Sequence, residues 1–218
     1  MDQIRSSLGN DVTLSVDFRN MMKNRKPSEA VSNETSLTTT MADSLKDLKY
    51  VKNYNYQIST SANSNSISAV ETASDNSNNQ QDTNKPNDQP EQASNQVDFT
   101  ISANTTMKYL DSFTNNNYKL TKGRLLTTKD QNTNNCVIET NLASDNDLSV
   151  GDTFTITTTV NDETITQELT IVGIYEIQST NEIGSAHFNN PVNTIYTDLS
   201  IGQTLTGSSE NITSAIYY

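Results

Sequence analysis

From Val97 onward the sequence turns β-rich, with "VDFTISA", "NCVIET", "DTFTITTTV", "ETITQELTIVGIYEI", "VNTIYTDL" and "NITSAIYY" as separate strand candidates, several of which alternate apolar residues with Thr, Ser or charge. Period-two alternation sends one face of a strand to a core and the other to water, so this half must fold as β-structure. In the longest run Ile165, Leu169, Ile171, Tyr175 and Ile177 are expected on one face, with Gly173 marking a bend or bulge. "VNDET", between two Thr-rich runs, supplies a hairpin turn. A short helix is expected over Asn141 to Asp147, with Thr140 as its cap.

The first 60 residues read as helix, strand, helix, strand. Ile4 and Leu8, four apart and followed by Gly9, mark a helix end. In "DVTLSVDF", Val12, Leu14, Val16 and Phe18 form the apolar face of a half-buried strand. Asn20 to Leu37 is polar, carries Pro27 and reads as a loop. Met41, Leu45, Leu48 and Val51 share one side of a second helix, with Thr40 and Asp43 as a capping-box variant. "YNYQIST" then returns to period two, and Tyr50, Tyr54 and Tyr56 cluster as contact or core residues.

Residues 61–96 have few apolar side chains, two prolines and no sustained period, so burial cannot offset the entropy of ordering them. They are expected to be a disordered Asn, Ser and Gln-rich insertion. The organisation is therefore 1–60, a first segment; 61–96, the insertion; and 97–218, a β-rich unit that returns toward the first segment. The fold class is α+β.

Charge narrows the function. A net charge of -12 over 218 residues, without a Lys and Arg block, opposes binding to nucleic acid. No apolar run approaches the roughly 18 residues of a membrane span, and Met1 leads into polar residues. A membrane-bound parent would therefore contain this chain as an excised piece. Cys136 is the single cysteine, so the fold rests on its packed core; flanked by Val137 and Ile138 without basic neighbours, it reads as a small buried apolar residue.

Catalytic patterns are sparse. The turn in "LSVGDTFTI" is read as structural: Leu148 and Val150 face the core, Gly151 supplies backbone freedom and Asp152 hydrogen-bonds the turn. Asp145, Asp147 and Asp152 do not make an EF-hand, because Val150 stands where its glycine belongs and the distal Glu is absent. His187 is the one histidine, which excludes paired-His zinc motifs. No phosphate loop occurs, and no carboxylate pair is singled out by spacing. No catalytic, cofactor or metal residue is assigned.

The order "YKLTKGRLLTTKD", then "NCVIETNLASDNDLSVGDTFTITTTV", then "ELTIVGIYE" resembles the extracytoplasmic domain of MacB-type ABC-transporter permeases, in their Gram-positive form. Gly123, Arg124, Asp130, Leu142, Ala143, Val150, Gly151, Asp152 and Gly173 occupy the motif positions. The resemblance implies a β-α-β porter-like part with an inserted β-rich subdomain, placed between two membrane helices at the extracellular face. The chain ends where the family continues into a second porter segment, so the porter part is expected to be incomplete. The resemblance also implies a non-catalytic domain in export of peptide-like or amphipathic compounds. Its partners would be an ABC ATPase subunit, a second permease copy and an adaptor protein, with the membrane reached only through flanking helices. The alternatives are a Gram-positive adhesin or pilin-like β-domain, for which no Leu-Pro-x-Thr-Gly signal occurs here, and a secreted enzyme, disfavoured by the sparse catalytic residues.

Overall fold

A computed structural model describes residues 11–15, 36–71, 97–178 and 190–218. The strands are β1 (Val12–Ser15), β2 (Leu37–Thr38), β3 (Tyr54–Ala62), β4 (Phe99–Asn104), β5 (Tyr118–Gly123), β6 (Asn135–Glu139), β7 (Thr153–Val160), β8 (Glu163–Ile177), β9 (Thr194–Asp198), β10 (Asn211–Ile212) and β11 (Ser214–Tyr217). The helices are α1 (Thr39–Lys46), α2 (Asp111–Thr114), α3 (Thr140–Asp145) and α4 (Leu199–Thr206).

One sheet runs β1-β11-β3-β4-β9-β6-β8-β5, and β7 pairs with β8 outside this path. The β4-β9 and β6-β8 pairs are parallel; the others in this sheet are antiparallel. The first segment and the β-rich unit thus share one continuous sheet, because β3 pairs with β4 along six residues. Beyond the end of β3, Asn63 and Thr157 exchange backbone hydrogen bonds of 2.8 and 2.7 Å. That bridge brings β7 back to β3 and closes β3, β4, β9, β6, β8 and β7 into a ring.

Inside the ring lies the largest core, with Phe99, Ile101, Ile138, Ile156, Leu169, Ile171 and Ile195 all buried. Each such side chain contributes roughly 1.5–3 kcal/mol of transfer free energy on burial. A second core joins α1 to β3 and β11 through Ala42, Tyr56, Ala215 and Tyr217. A third, with Met107, Leu126, Tyr175 and Tyr196, covers the other face of β6, β8 and β9.

The β7-β8 hairpin turns through Asn161 and Asp162, both at positive φ (50° and 66°). That is the two-residue turn whose twist suits paired strands, and Asn and Asp tolerate it better than most residues. In β8, however, Ile171 pairs with Cys136 while Gly173 pairs with Val137, leaving Val172 as an extra residue. The bulge shifts the alternation by one. Leu169 and Ile171 face the first core, Ile174 takes over on that side, and Tyr175 passes to the third core. The single apolar face expected for β8 is therefore corrected to two faces divided at Gly173.

Local structure departs from the sequence reading at several other points. Helix α1 starts at Thr39, capped by Thr38, whose Oγ1 accepts from the Met41 amide at 3.2 Å; it ends at Lys46, leaving Met41 and Leu48 exposed. Asp43 is not a capping residue but accepts from the Tyr56 hydroxyl at 2.7 Å. Helix α3 is capped by Glu139, because the Thr140 hydroxyl donates instead to the Tyr175 carbonyl. Val12 is exposed, since β1 ends the path of the sheet. Residues 61–71, placed by composition in the disordered insertion, belong to the fold. Ser61 and Ala62 complete β3, Ile67 is buried in the first core, and the Val70 amide donates to Asn193 at 2.8 Å. Isolated side chains anchored by hydrogen bonds order a stretch whose average composition is polar. The helix end at Gly9, the strand residues Val16 and Phe18, most of the 20–37 loop, residues 72–96 and His187 lie outside the described residues.

Candidate functional site

The bulge of β8 gathers most of the sequence-selected residues. Gly123, the last residue of β5, lies in register with Gly173. Gly123 sits at φ +70°, and a Cβ placed on it would come 2.1 Å from the Val172 carbonyl oxygen. A Cβ on Gly173 would meet the Arg124 carbonyl oxygen at 2.2 Å. Two facing glycines are what permit the backbones to approach this closely. The Arg124 amide then donates to Val172 O at 2.9 Å.

Past this contact the Arg124 side chain turns to Asp130, placing Nη1 and Nη2 at 2.8 and 2.7 Å from its two carboxylate oxygens. Asp130 is 2% exposed. It also accepts from the Thr127 amide, the Thr127 hydroxyl and Asn135 Nδ2, at 2.8, 3.1 and 2.8 Å. Thr127 and Asp130 form a capping box on the single 3-10 turn Thr128–Asp130. Burial by itself would raise the Asp130 pKa, but the Arg124 guanidinium, the Thr127 amide and Asn135 outweigh it and hold the carboxyl well below the usual range.

From the other side, the Val150-Gly151-Asp152 turn docks on the strand just before the bulge. The Gly151 amide donates to Ile171 O at 2.8 Å, and the Ile171 amide donates to Asp152 O at 2.9 Å. Gly151 has φ +103°, and Asp152 Oδ2 accepts from the Ser149 amide at 2.8 Å. Val150 is 42% exposed and does not face the core; Leu148 does, packing against the first core. Leu142 and Ala143 are buried there on α3, and the Leu148 amide donates to Ala143 O.

Three features that matter for this geometry were not selected from sequence. Asn135 and Thr127 hold Asp130, and Thr127-Thr128-Lys129-Asp130 carries a capping-box spacing that signals the role of Thr127. Strand β5 itself, with its alternation broken by Lys122 and Gly123, was missed. Among the described residues no three of His, Cys, Asp and Glu gather closely enough to hold a metal ion. Cys136 is fully buried, and burial pushes its thiol pKa up.

Two further acids are buried where strands pass into helices. Glu139 caps α3, accepting from the Asn141 amide at 2.5 Å. Asp198 caps α4, its Oδ1 accepting from the Ser200 amide at 2.9 Å, and its Oδ2 has no hydrogen-bond partner among the described residues. Burial raises both pKa values, against the lowering by the amides they cap. For a carboxyl raised on folding, the stabilising contribution is full below the unfolded pKa and is lost as pH rises through the folded value. For Asp130, lowered on folding, it is full above the unfolded value near 4 and lost as pH falls through the folded one. As pH falls toward the unfolded carboxylate value near 4, Glu139 and Asp198 are therefore expected to add stability, and as it falls further the loss of the Asp130 contribution takes over. Asp198→Asn should flatten the first limb, which urea unfolding across that range will measure.

The family model of the MacB-like periplasmic core domain matches residues 2–217. The chain belongs to this family. The MacB-like core shares 36% identity over 228 residues with YclI, an uncharacterized ABC transporter permease of Bacillus subtilis strain 168. That alignment covers 98% of the chain and 46% of YclI, so the chain spans about half the length of this relative. Among solved structures it resembles the periplasmic region of MacB from Actinobacillus actinomycetemcomitans, with a TM-score of 0.52 and 16% identity over 100% of this chain and 78% of that one. It also resembles the extracellular domain of the noncanonic ABC-type transporter YknZ from Gram-positive bacteria. There the TM-score is 0.50 and the identity 12%, over 96% of this chain and 83% of that one. The mixed architecture, one large sheet with few helices, is that of these MacB-like domains. No helix of the described residues is long and apolar enough to cross a membrane.

Proposed function

We propose that the chain is the extracellular domain of an ABC-transporter permease, inserted between two membrane helices, and that it acts mechanically and without catalysis of its own. It would pass on motion driven by ATP hydrolysis in a separate subunit, with a second permease copy, during export of peptide-like or amphipathic compounds. The observation that carries this reading is the pairing of β1 with β11. Val12 lies in register with Tyr217, so the start of the first described strand and the end of the last lie side by side. A domain tethered at both ends to one membrane needs that arrangement. The bulge contacts support it further, since transmission requires elements that move as one body.

The parent permease carrying Glu163→Cys, on the exposed hairpin, should be labelled by a membrane-impermeant maleimide in intact cells. Cys136 should stay unlabelled until the protein is denatured. Labelling of the Glu163→Cys thiol only after cell lysis would place the domain inside and overturn the reading. Titration of ATP into the isolated chain should release no binding heat; nucleotide-dependent heat would contradict the absence of catalysis.

A further inference from the structure

We infer that the cleft between β3 and β7 binds an extended basic segment of a partner protein, which adds to the two strand edges that face each other there. This goes beyond the permease reading and does not depend on it. The strands meet at Asn63 and Thr157, whose amides and carbonyls exchange the two bonds that close the ring. On one side of this rung Ser64 and Ser66 cover the β7 edge: the Ser64 hydroxyl donates to Thr155 O at 2.6 Å, and the Thr155 amide donates to Ser66 Oγ at 2.9 Å. On the other side the ladder stops.

In antiparallel pairing successive rungs lie two residues apart on each strand, so the next would join Ser61 to Thr159. No such pair is present among the described residues. Because the Thr157 amide and carbonyl point to β3, those of Thr159 point the same way, away from β8. By the same alternation Ser61, two residues before Asn63, turns its backbone groups away from β4. A cleft of about 310 Å³ lies between them, lined among others by Ser61, Asn63, Val97, Thr157, Thr159 and Thr164. Helix α4 touches both strands and sets their separation. A Cβ on its Gly202 would come 3.0 Å from Ile58 Cβ of β3, and one on Gly207, just past its end, 2.6 Å from Val160 Cγ1 of β7.

Strand edges of this kind recognise an extended backbone, since main-chain hydrogen bonds supply affinity and alternate side chains supply specificity. Charge selects the sequence of the occupant. Residues 53–71, 97–107 and 131–178 hold no Lys or Arg, while Asp98 adjoins Val97, and Asp162 and Glu163 adjoin Thr164. The basic run Lys119, Lys122, Arg124 and Lys129 lies on and after β5, which pairs with residues 173–177 of β8. From Gly173 to Thr164 along β8 is about 30 Å at strand spacing, so these cations stand far from the cleft. A basic strand laid there meets acids alone.

A fluorescein-labelled short peptide alternating Lys with Val, and its counterpart with Glu for Lys, are titrated into the full chain and followed by anisotropy and amide NMR. Saturable binding of the Lys peptide, about tenfold or more tighter than the Glu peptide, is expected, with the Ser61 and Thr159 amide signals moving and those of Leu120 and Gly123 unmoved. Thr164→Lys should weaken that binding about fivefold or more through like charge, whereas Thr128→Lys, near β5, should not. Thr159→Pro removes an amide that points away from β8, so it spares the β7-β8 ladder, and should cost about tenfold. Absence of saturable binding, equal affinity for the two peptides, or signals moving only on β5 would overturn the inference. Unchanged affinity in Thr164→Lys would do the same.

Discussion

Gly173→Val is expected to lower stability by about 3–5 kcal/mol, a large share of the roughly 5–15 kcal/mol of a typical domain. The new Cβ would meet the Arg124 carbonyl oxygen at 2.2 Å, and that oxygen belongs to backbone that cannot swing aside. To relieve the contact, the end of β5 must leave β8. The Arg124-to-Val172 backbone bond then breaks, and Arg124 is drawn away from Asp130. Gly123→Ala should act from the opposite side, adding left-handed strain at φ +70° to the 2.1 Å contact with Val172 O. Gly151→Ala is the control: nothing lies within 4 Å of its Cβ, so only the strain of φ +103° remains, roughly 1–2 kcal/mol. Urea midpoints at constant m-value will order the three. A Gly173→Val chain as stable as Gly151→Ala would mean that the close approach at the bulge carries no energetic weight.

Asp130→Ala should cost about 2–4 kcal/mol. The loss comes less from the arginine than from the neutral donors. Arg124 keeps 51% of its side chain in solvent and can turn to water, but the Thr127 amide and Asn135 Nδ2 lose their acceptor inside the protein. A double-mutant cycle with Arg124→Ala isolates the ion pair, expected at about 1–3 kcal/mol for a coupled pair. Asp130→Asn should also remove much of the acid limb, because the stabilisation that disappears as pH falls belongs to the lowered pKa of that carboxyl. An unchanged acid limb in Asp130→Asn would show that the fold does not lean on this carboxylate.

Strands β4 and β7 were legible in the sequence because they alternate, β6 and β9 because short apolar runs stand between polar stretches, and the hairpin at Asn161-Asp162 because two polar, turn-forming residues separate two strands. The sequence hid the face change in β8, since a bulge breaks the period that the reading depends on, and Gly173 alone does not tell how many residues are displaced. It hid the ordering of residues 61–71 because Ile67 is held by partners distant in sequence, and composition averages over such contacts. For the site, Gly123, Arg124, Asp130, Gly151, Asp152 and Gly173 were selected singly, but their convergence on one bulge is set by strand pairing that no local pattern encodes. Glu139 in place of Thr140 as the cap of α3 is a similar case. Both residues can cap, and the tertiary partner at Tyr175 decides between them.

If the β8 bulge locks β5, β6 and the Gly151 turn into one rigid, non-catalytic body, the amides that tie them together must open together. Native-state hydrogen exchange of the Arg124, Gly151 and Ile171 amides, which bond to Val172 O, Ile171 O and Asp152 O, tests this most directly. All three are expected to exchange with one opening free energy, equal to that of global unfolding in urea. Exchange of any one of them through a local opening easier by about 2 kcal/mol or more would contradict the account.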